Sequence, residues 1–551
     1  MKKNKYLLLI SSLGVSALLL AAAVDENYLR GWRRVQNSVF GANDVRLRQI
    51  VVPAMRTTDR CVSCHVGMMP GETPVAKHRL ASAHPRVPHD PAQFGCTSCH
   101  GGQGRATERA DAHGDTEFWP EPMLPRQFAS AGCGTCHSHV QVPDLASMQQ
   151  SQRQLERADC LACHRIDGRG GTQRPGGQGG MEGPDLSKIG AAGWKADWFA
   201  RHLERQQTDK DGVWKASFRE LDPSQRSDIE KYLITRVGAP DLVEAKALFH
   251  SLGCRGCHKI RGVGGDDGPD LTRVGMRDVH RLDCSNVPGE HTLPNWLAAH
   301  FRWPAKIVAG SKMPVLGLTE SQIDRLTLYM LSLRDSQFPE AFWPGDRLRI
   351  ERLGDREFAD NGVTLYRTFC AACHGDRGEG RRYPDNVPFP AIANPDFLAV
   401  ADDAFLIRSI TDGRPGRRMP AWNKNSGGLN DEEIARIVQY LRGLSGTAAP
   451  VGQRAEHRWV QADAAAGKRR FAAMCAGCHG ANGEGTQAPA LHNASLLAAA
   501  TDSFFVETIR RGRKGTAMPG FSGASTSYPA LTQQEIESVV AYIRIWEDKG
   551  R

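Results

Sequence analysis

The sequence is short of large apolar side chains. Aromatic residues make up 7% of its 551 positions. A chain this long divides into several domains, and so few aromatics leave several independent cores underfilled. A bulky apolar group from outside the chain would fill them. Past Val24 no uncharged run reaches the about 20 residues that span a bilayer, so that part of the chain is expected to be soluble. No basic stripe with interleaved aromatics accompanies the net charge of +9, which argues against nucleic acid as a partner. Cysteine outside one repeated pattern is almost missing. Of 15 cysteines only Cys284 stands apart, in the polar loop Arg281-Leu-Asp-Cys-Ser-Asn286, with no thiol to pair with.

The other 14 form one spacing seven times. The sets are Cys61/Cys64/His65, Cys96/Cys99/His100, Cys133/Cys136/His137, Cys160/Cys163/His164, Cys254/Cys257/His258, Cys370/Cys373/His374 and Cys475/Cys478/His479. Residues i, i+3 and i+4 share one helical face. Two thiols and an imidazole at that spacing can meet a single group, and C-x-x-C-H is the spacing of covalent c-type haem attachment. Zinc would call for paired C-x-x-C elements or a distant histidine pair. Disulfides would not need histidine at +4 every time. The expectation is seven covalent haem c, each held by two thioethers with the motif histidine as proximal iron ligand. Haem propionates then bring the formal charge to about +2 when oxidised and about −5 when reduced.

The motifs are dense at the front, within residues 61–137, and spread out behind. The back is an internal repeat. Each unit opens with a helix running into its motif, as in Ala245–Phe249 and Gly467–Phe471. Each closes with an amphipathic helix whose N-cap residue (Asp222, Thr319, Asn430 or Thr532) precedes Gln or Glu by three, the capping-box pattern. Linkers run through Phe338–Pro344 to Arg356 and through Gly446–Trp459, and Gly168–Gly180 reads as a loop insertion. The expected organisation is a tri-haem segment over 25–148, then units over 149–240, 241–336, 359–446 and 461–551, with linkers at 337–358 and 447–460. The expected fold class is mainly α: a haem-dense front with little secondary structure, then four small all-α domains in tandem.

Three units carry Met-Pro at one repeat position, Met313-Pro314, Met419-Pro420 and Met518-Pro519, which makes these methionines the expected distal ligands. In the first unit Lys215-Ala216-Ser217 falls where Lys312-Met313-Pro314 stands, so the His164 haem lacks a methionine. His202, Lys215, a ligand from the Gly-rich insertion or an open, water-bound position remain for it. The front has His78, His84, His89, His113 and His139 outside its motifs. We expect bis-histidine ligation there, with His84, His89 and His113 as distal ligands.

The C-x-x-C-H and Met-Pro motifs over about 150–551 resemble class I monohaem cytochrome c domains. Gly183-Pro-Asp-Leu186 and Gly268-Pro-Asp-Leu271 match that family's Gly-Pro-x-Leu element. The resemblance implies a backbone carbonyl accepting from the proximal histidine; the last two units lack the element. Residues 25–140, with Phe94–Gly104 and Ala112-His113-Gly114, resemble the multihaem cytochromes that accompany bacterial quinol-oxidising cytochrome b complexes. That resemblance implies a membrane partner of cytochrome b or other respiratory type, with a soluble or terminal electron acceptor. The implied role is electron transfer, with no turnover by the chain alone; a reductase or peroxidase at the His164 haem is the alternative. Lys2, Lys3 and Lys5 precede an uncharged run from Tyr6 to Val24 that ends in Ala21-Ala22-Ala23. It fits a cleaved signal or, as we expect, an anchor to the periplasmic face of the cytoplasmic membrane.

Overall fold

The computed structural model describes residues 2–41, 44–69, 72, 80–85, 87–117, 119–171, 183–192, 197, 201, 221–334, 338–384, 387–450, 457–525 and 528–548. Helices dominate, as expected for the mainly α class. The strands pair in two short antiparallel ribbons, Ile50–Val52 with Thr57–Asp59 and Arg165–Ile166 with Arg169–Gly170. The chain divides into two compact units. The first holds Met1–Ser138 with Gly275–Leu282 and Leu331–Pro344; the second holds the rest.

In the first unit the apolar core is small: Ile50, Val52, Met55 and Val62, with Met69, Phe94, Cys96, Phe338 and Phe342 against it. Asp59 does much of the ordering. It is fully buried, and its carboxylate accepts from the Cys96 and Thr97 amides and the Thr97 hydroxyl, which fixes the start of the second motif. The helix Lys2–Val24 is apolar and fully exposed along its length. Among the described residues it lies in the one helical stretch long and apolar enough to cross a membrane, a property it would share with a signal sequence.

The second unit is built of crossed helix pairs. Gly362–Phe369 packs on Asp431–Ser445, and Ala464–Met474 on Gln533–Asp548. Glycine permits both crossings: a Cβ at Gly362 would lie 2.5 Å from the Arg436 carbonyl, and one at Gly467 1.9 Å from that of Ser538. Aromatic pairs seal the contacts, Phe249 with Tyr329, Tyr366 with Tyr440 and Phe471 with Tyr542, at centroid separations of 5.0, 5.3 and 5.5 Å. All four N-caps exchange hydrogen bonds with the residue three ahead: Asp222 with Gln225, Thr319 with Gln322, Asn430 with Glu433 and Thr532 with Glu535. One apolar core runs through residues 358–546.

Glu357 lies inside the second unit, where Lys246, Arg255 and Arg261 all reach its carboxylate. Lys246 and Arg255 are fully buried. Burial alone would raise Glu357, but Arg255, Lys246 and Arg261 hold it well below the carboxylate range. Lys246 also donates to the Val140 carbonyl at 2.9 Å, and Val142 bridges to Phe358. The stretch after the third motif is thereby tied to the start of the third cytochrome unit.

Candidate haem sites

Each motif forms one tight helical turn that presents its histidine beside its thiols. The histidine amide donates to the carbonyl of the first cysteine at 2.8 Å for His65, 3.0 Å for His100, 2.9 Å for His164, 3.1 Å for His258, 2.9 Å for His374 and 3.0 Å for His479. Burial pushes the thiols of Cys160 and Cys475 up to about 11 and those of Cys254 and Cys370 up to about 12. Burial also holds His65, His100, His374 and His479 below the usual histidine range, so they stay neutral, the form that binds metal.

The motif thiols are not equally covered by the fold, and their surroundings vary. Cys136 and Cys163, each the second cysteine of its motif, are half-buried, whereas Cys478, the second cysteine of the last motif, is exposed. All three stand at the same place in the motif, so the difference lies in how far the surrounding fold covers each turn. The loop after the motif is held by the second cysteine's backbone. The Cys163 carbonyl accepts from the Gly183 amide at 3.2 Å, and the Cys478 carbonyl from the Ala488 amide at 3.0 Å.

Those amides belong to the residues just before Pro184 and Pro489, and the four spaced sites share a proximal hydrogen bond to such a proline. Nδ1 of His164, His258, His374 and His479 lies 2.9, 2.8, 2.9 and 2.9 Å from the carbonyls of Pro184, Pro269, Pro390 and Pro489. Donation from Nδ1 leaves Nε2 as the lone-pair nitrogen and fixes the ring. In the first two the preceding glycine lies on the ring: a Cβ at Gly183 or Gly268 would stand 2.4 Å from the imidazole. Sequence reasoning misses Pro390 and Pro489 because it looks for that glycine. The signal common to all four is Pro followed two residues on by Leu or Ile: Leu186, Leu271, Ile392 and Leu491.

Of the expected distal residues, Met419 and Met518 pack against the core from equivalent loops, Gly413-Arg-Pro-Gly-Arg-Arg-Met-Pro420 and Gly512-Arg-Lys-Gly-Thr-Ala-Met-Pro519. The Arg414 and Arg513 amides donate to the Met419 and Met518 carbonyls at 2.8 and 2.9 Å. Met313 sits in a shorter loop, its amide 3.3 Å from the Ser311 hydroxyl. His202, Lys215 and Ala216, the positions weighed for the His164 site, lie outside the described residues, as does His78.

In the first unit histidines come together in three pairs. His65 faces His113 at a centroid separation of 6.4 Å, His100 faces His84 at 6.0 Å, and His137 faces His89 at 6.1 Å. Two imidazoles across one metal, each bonded at about 2.0–2.1 Å with about 1 Å from nitrogen to ring centre, would stand about 6 Å apart. Each pair joins one motif histidine to one of the three expected distal histidines. His84 Nδ1 lies 2.7 Å from the Pro85 carbonyl, which again frees Nε2. His139 is buried in the second unit, 3.3 Å from Glu351, and burial pushes it down to about 3.

Paired thiols beside imidazoles, four of them oriented by a backbone carbonyl at Nδ1, and methionines on an apolar wall suit covalent haem. The chain is a multihaem c-type cytochrome with tandem monohaem domains. Residues 149–236 and 242–334 match the family model for cytochrome c; 357–441 and 462–543 match that for cytochrome C oxidase, cbb3-type, subunit III. It is homologous to CcoP- and FixP-type subunits. The cbb3-type cytochrome c oxidase subunit CcoP of Azospirillum sp. (strain B510) is 30% identical over 200 residues, 33% of this chain and 60% of that protein. Subunit FixP of Bradyrhizobium sp. (strain ORS 278) is 33% identical over 172 residues, 29% of this chain and 54% of that protein. The chain thus spans little more than half the length of these relatives. A solved reducing HAO-like protein complex from Kuenenia stuttgartiensis aligns at a TM-score of 0.24 and 18% identity over 34% of this chain and 94% of its own, too low to carry an argument.

Proposed function

We propose that this chain carries seven haems and conducts electrons from a membrane donor, quinol-linked, to a periplasmic or terminal acceptor. The proposed organisation is three haems in residues 25–148, then one in each of four units. All fourteen motif cysteines, the half-buried Cys136 and Cys163 and the exposed Cys478 included, are the proposed thioether positions. The observation that carries the reading is ligand saturation: three histidine pairs at metal-bridging separation and three Met-Pro loops at one repeat position. Haem supplies one-electron chemistry when bound. The residues decide the rest. Paired histidines at His65/His113, His100/His84 and His137/His89 give a low-potential group. His258/Met313, His374/Met419 and His479/Met518 give a high-potential group, because thioether ligation raises the potential. Six filled positions leave relay, not turnover, as the work of those sites.

The relatives' names make them subunits of cbb3-type oxidases, which supports a respiratory complex as partner. The apolar helix Lys2–Val24 supports attachment to the membrane. Spectroelectrochemical titration of the purified holoprotein tests the reading. Two separated groups of waves are expected; a single narrow wave would reject it. Purification in mild detergent should bring down a membrane-bound respiratory subunit.

A second reading concerns the His164 site. Alanine at the ligand position of its repeat leaves room for an open haem, and such a site is where a reductase or peroxidase would act.

A further inference from the structure

The second and third cytochrome units bring their sites together at both ends. At the attachment end the backbones nearly touch. A Cβ at Gly253 would lie 2.5 Å from the Ala372 amide nitrogen, and one at Gly256 2.9 Å from the Phe369 carbonyl. Any side chain there would drive the motif at Cys254–His258 away from the motif at Cys370–His374. The thiols of Cys257 and Cys373 lie close enough to interact with one another. Both are proposed thioether positions, so haems held there would be attached side by side.

At the other end a single carboxylate joins both sites. Asp267 immediately precedes Gly268-Pro269, whose carbonyl takes the His258 hydrogen bond. Its side chain is 18% exposed and accepts from Arg418 Nε at 2.6 Å, with Lys312 Nζ 3.9 Å away. Arg418 also reaches the Lys312 carbonyl at 3.4 Å. Lys312 is the residue before Met313, and Arg418 the residue before Met419. One anion therefore holds the proximal loop of one site and the flanks of both distal methionines.

We propose that the His258/Met313 and His374/Met419 sites form a directly communicating pair, with Asp267 and Arg418 as positioning residues whose charges act on both irons. This rests on the haem and methionine assignments above. Haems held by His258 and Met313 and by His374 and Met419 would exchange one electron, one iron oxidised as the other is reduced, with no bond or proton moved. An anion near an iron favours the ferric state and lowers the potential; a cation does the reverse.

The test is a redox titration of the full holoprotein, followed in the thioether-to-iron charge-transfer absorption, which reports the Met-ligated haems alone. Met313→His, Met419→His and Met518→His identify each wave by removing it. Asp267→Asn is expected to raise the Met313 and Met419 waves together and leave the Met518 wave in place. Arg418→Gln is expected to lower the same two, and Asp267→Glu to return them to the parent values. If one variant fails to fold, the opposite shift from the other still decides. Movement of one wave alone, or of neither, with the absorption intact would overturn the pairing. If the Met→His variants leave the absorption unchanged, the ligand assignment itself falls instead.

Discussion

Replacing Glu357 by Gln removes the negative charge that Lys246, Arg255 and Arg261 share. Lys246 and Arg255 are 0% exposed, so no water replaces the lost partner. Breaking a buried pair from one side costs about 3–5 kcal/mol, because the remaining charge stays buried and uncompensated. Two fully buried cations place Glu357→Gln at the upper end of that range. Lys246→Met should cost far less. It deletes one of three cations, relieves their mutual repulsion and leaves Glu357 held by two arginines. Burial pushes the Lys246 ammonium down to about 8, against an ordinary 10.5, so the folded state already disfavours its charge.

The sign of the pH effect follows. Between about 8 and 10.5 the unfolded chain keeps the Lys246 proton and the folded chain has lost it. Where the unfolded state binds more protons, stability rises with pH. The parent should gain stability across that window, and Lys246→Met should lose that gain. Urea unfolding followed by far-ultraviolet circular dichroism, at pH 7 and across pH 8–10, measures both effects. Equal losses for Glu357→Gln and Lys246→Met, or a parent that weakens as pH rises through 8 with Lys246→Met unchanged, would refute the reasoning.

Met518→Ala should remove about one third of the thioether-to-iron absorption, the share of one haem among three; an unchanged spectrum would exclude Met518 as a ligand. The His164 haem should contribute nothing to that absorption. Electron paramagnetic resonance of the oxidised protein then distinguishes an open position, seen as one high-spin ferric haem, from ligation by His202 or Lys215, seen as a fully low-spin protein. Mass spectrometry of the mature N-terminus should find the apolar run intact; a start at Val24 or Asp25 would make the protein freely periplasmic.

Covalent spacing is the most legible layer of this sequence. C-x-x-C-H states its chemistry within five residues, and a capping box within four, so the motif turns and the four closing helices can be read directly. What the spacing does not carry is the exposure of each thiol, since Cys136, Cys163 and Cys478 occupy the same motif position and differ in how far the fold covers them. The proximal carbonyls at Pro390 and Pro489 are also less legible, because a backbone acceptor leaves no side-chain signature. Gly183 and Gly268 are visible through the missing Cβ that lets the chain lie on the imidazole. Phe389 and Ala488 precede the other two prolines, so the last two units reach the same hydrogen bond without that glycine.

The front segment shows where legibility stops. Composition places spare histidines among three motifs, but not which would face which. That depends on the small core around Ile50 and Val62 and on Asp59, buried and accepting from the Cys96 and Thr97 amides. Asp59 lies 37 residues before Cys96 and resembles any surface aspartate in the sequence. The same holds for Asp267: next to a Gly-Pro it reads as turn chemistry, and only the approach of Arg418, 151 residues away, gives it a role between two sites. Local spacing can thus specify each proposed haem site separately, whereas the proposed pairing of two sites rests on contacts between residues far apart in the chain.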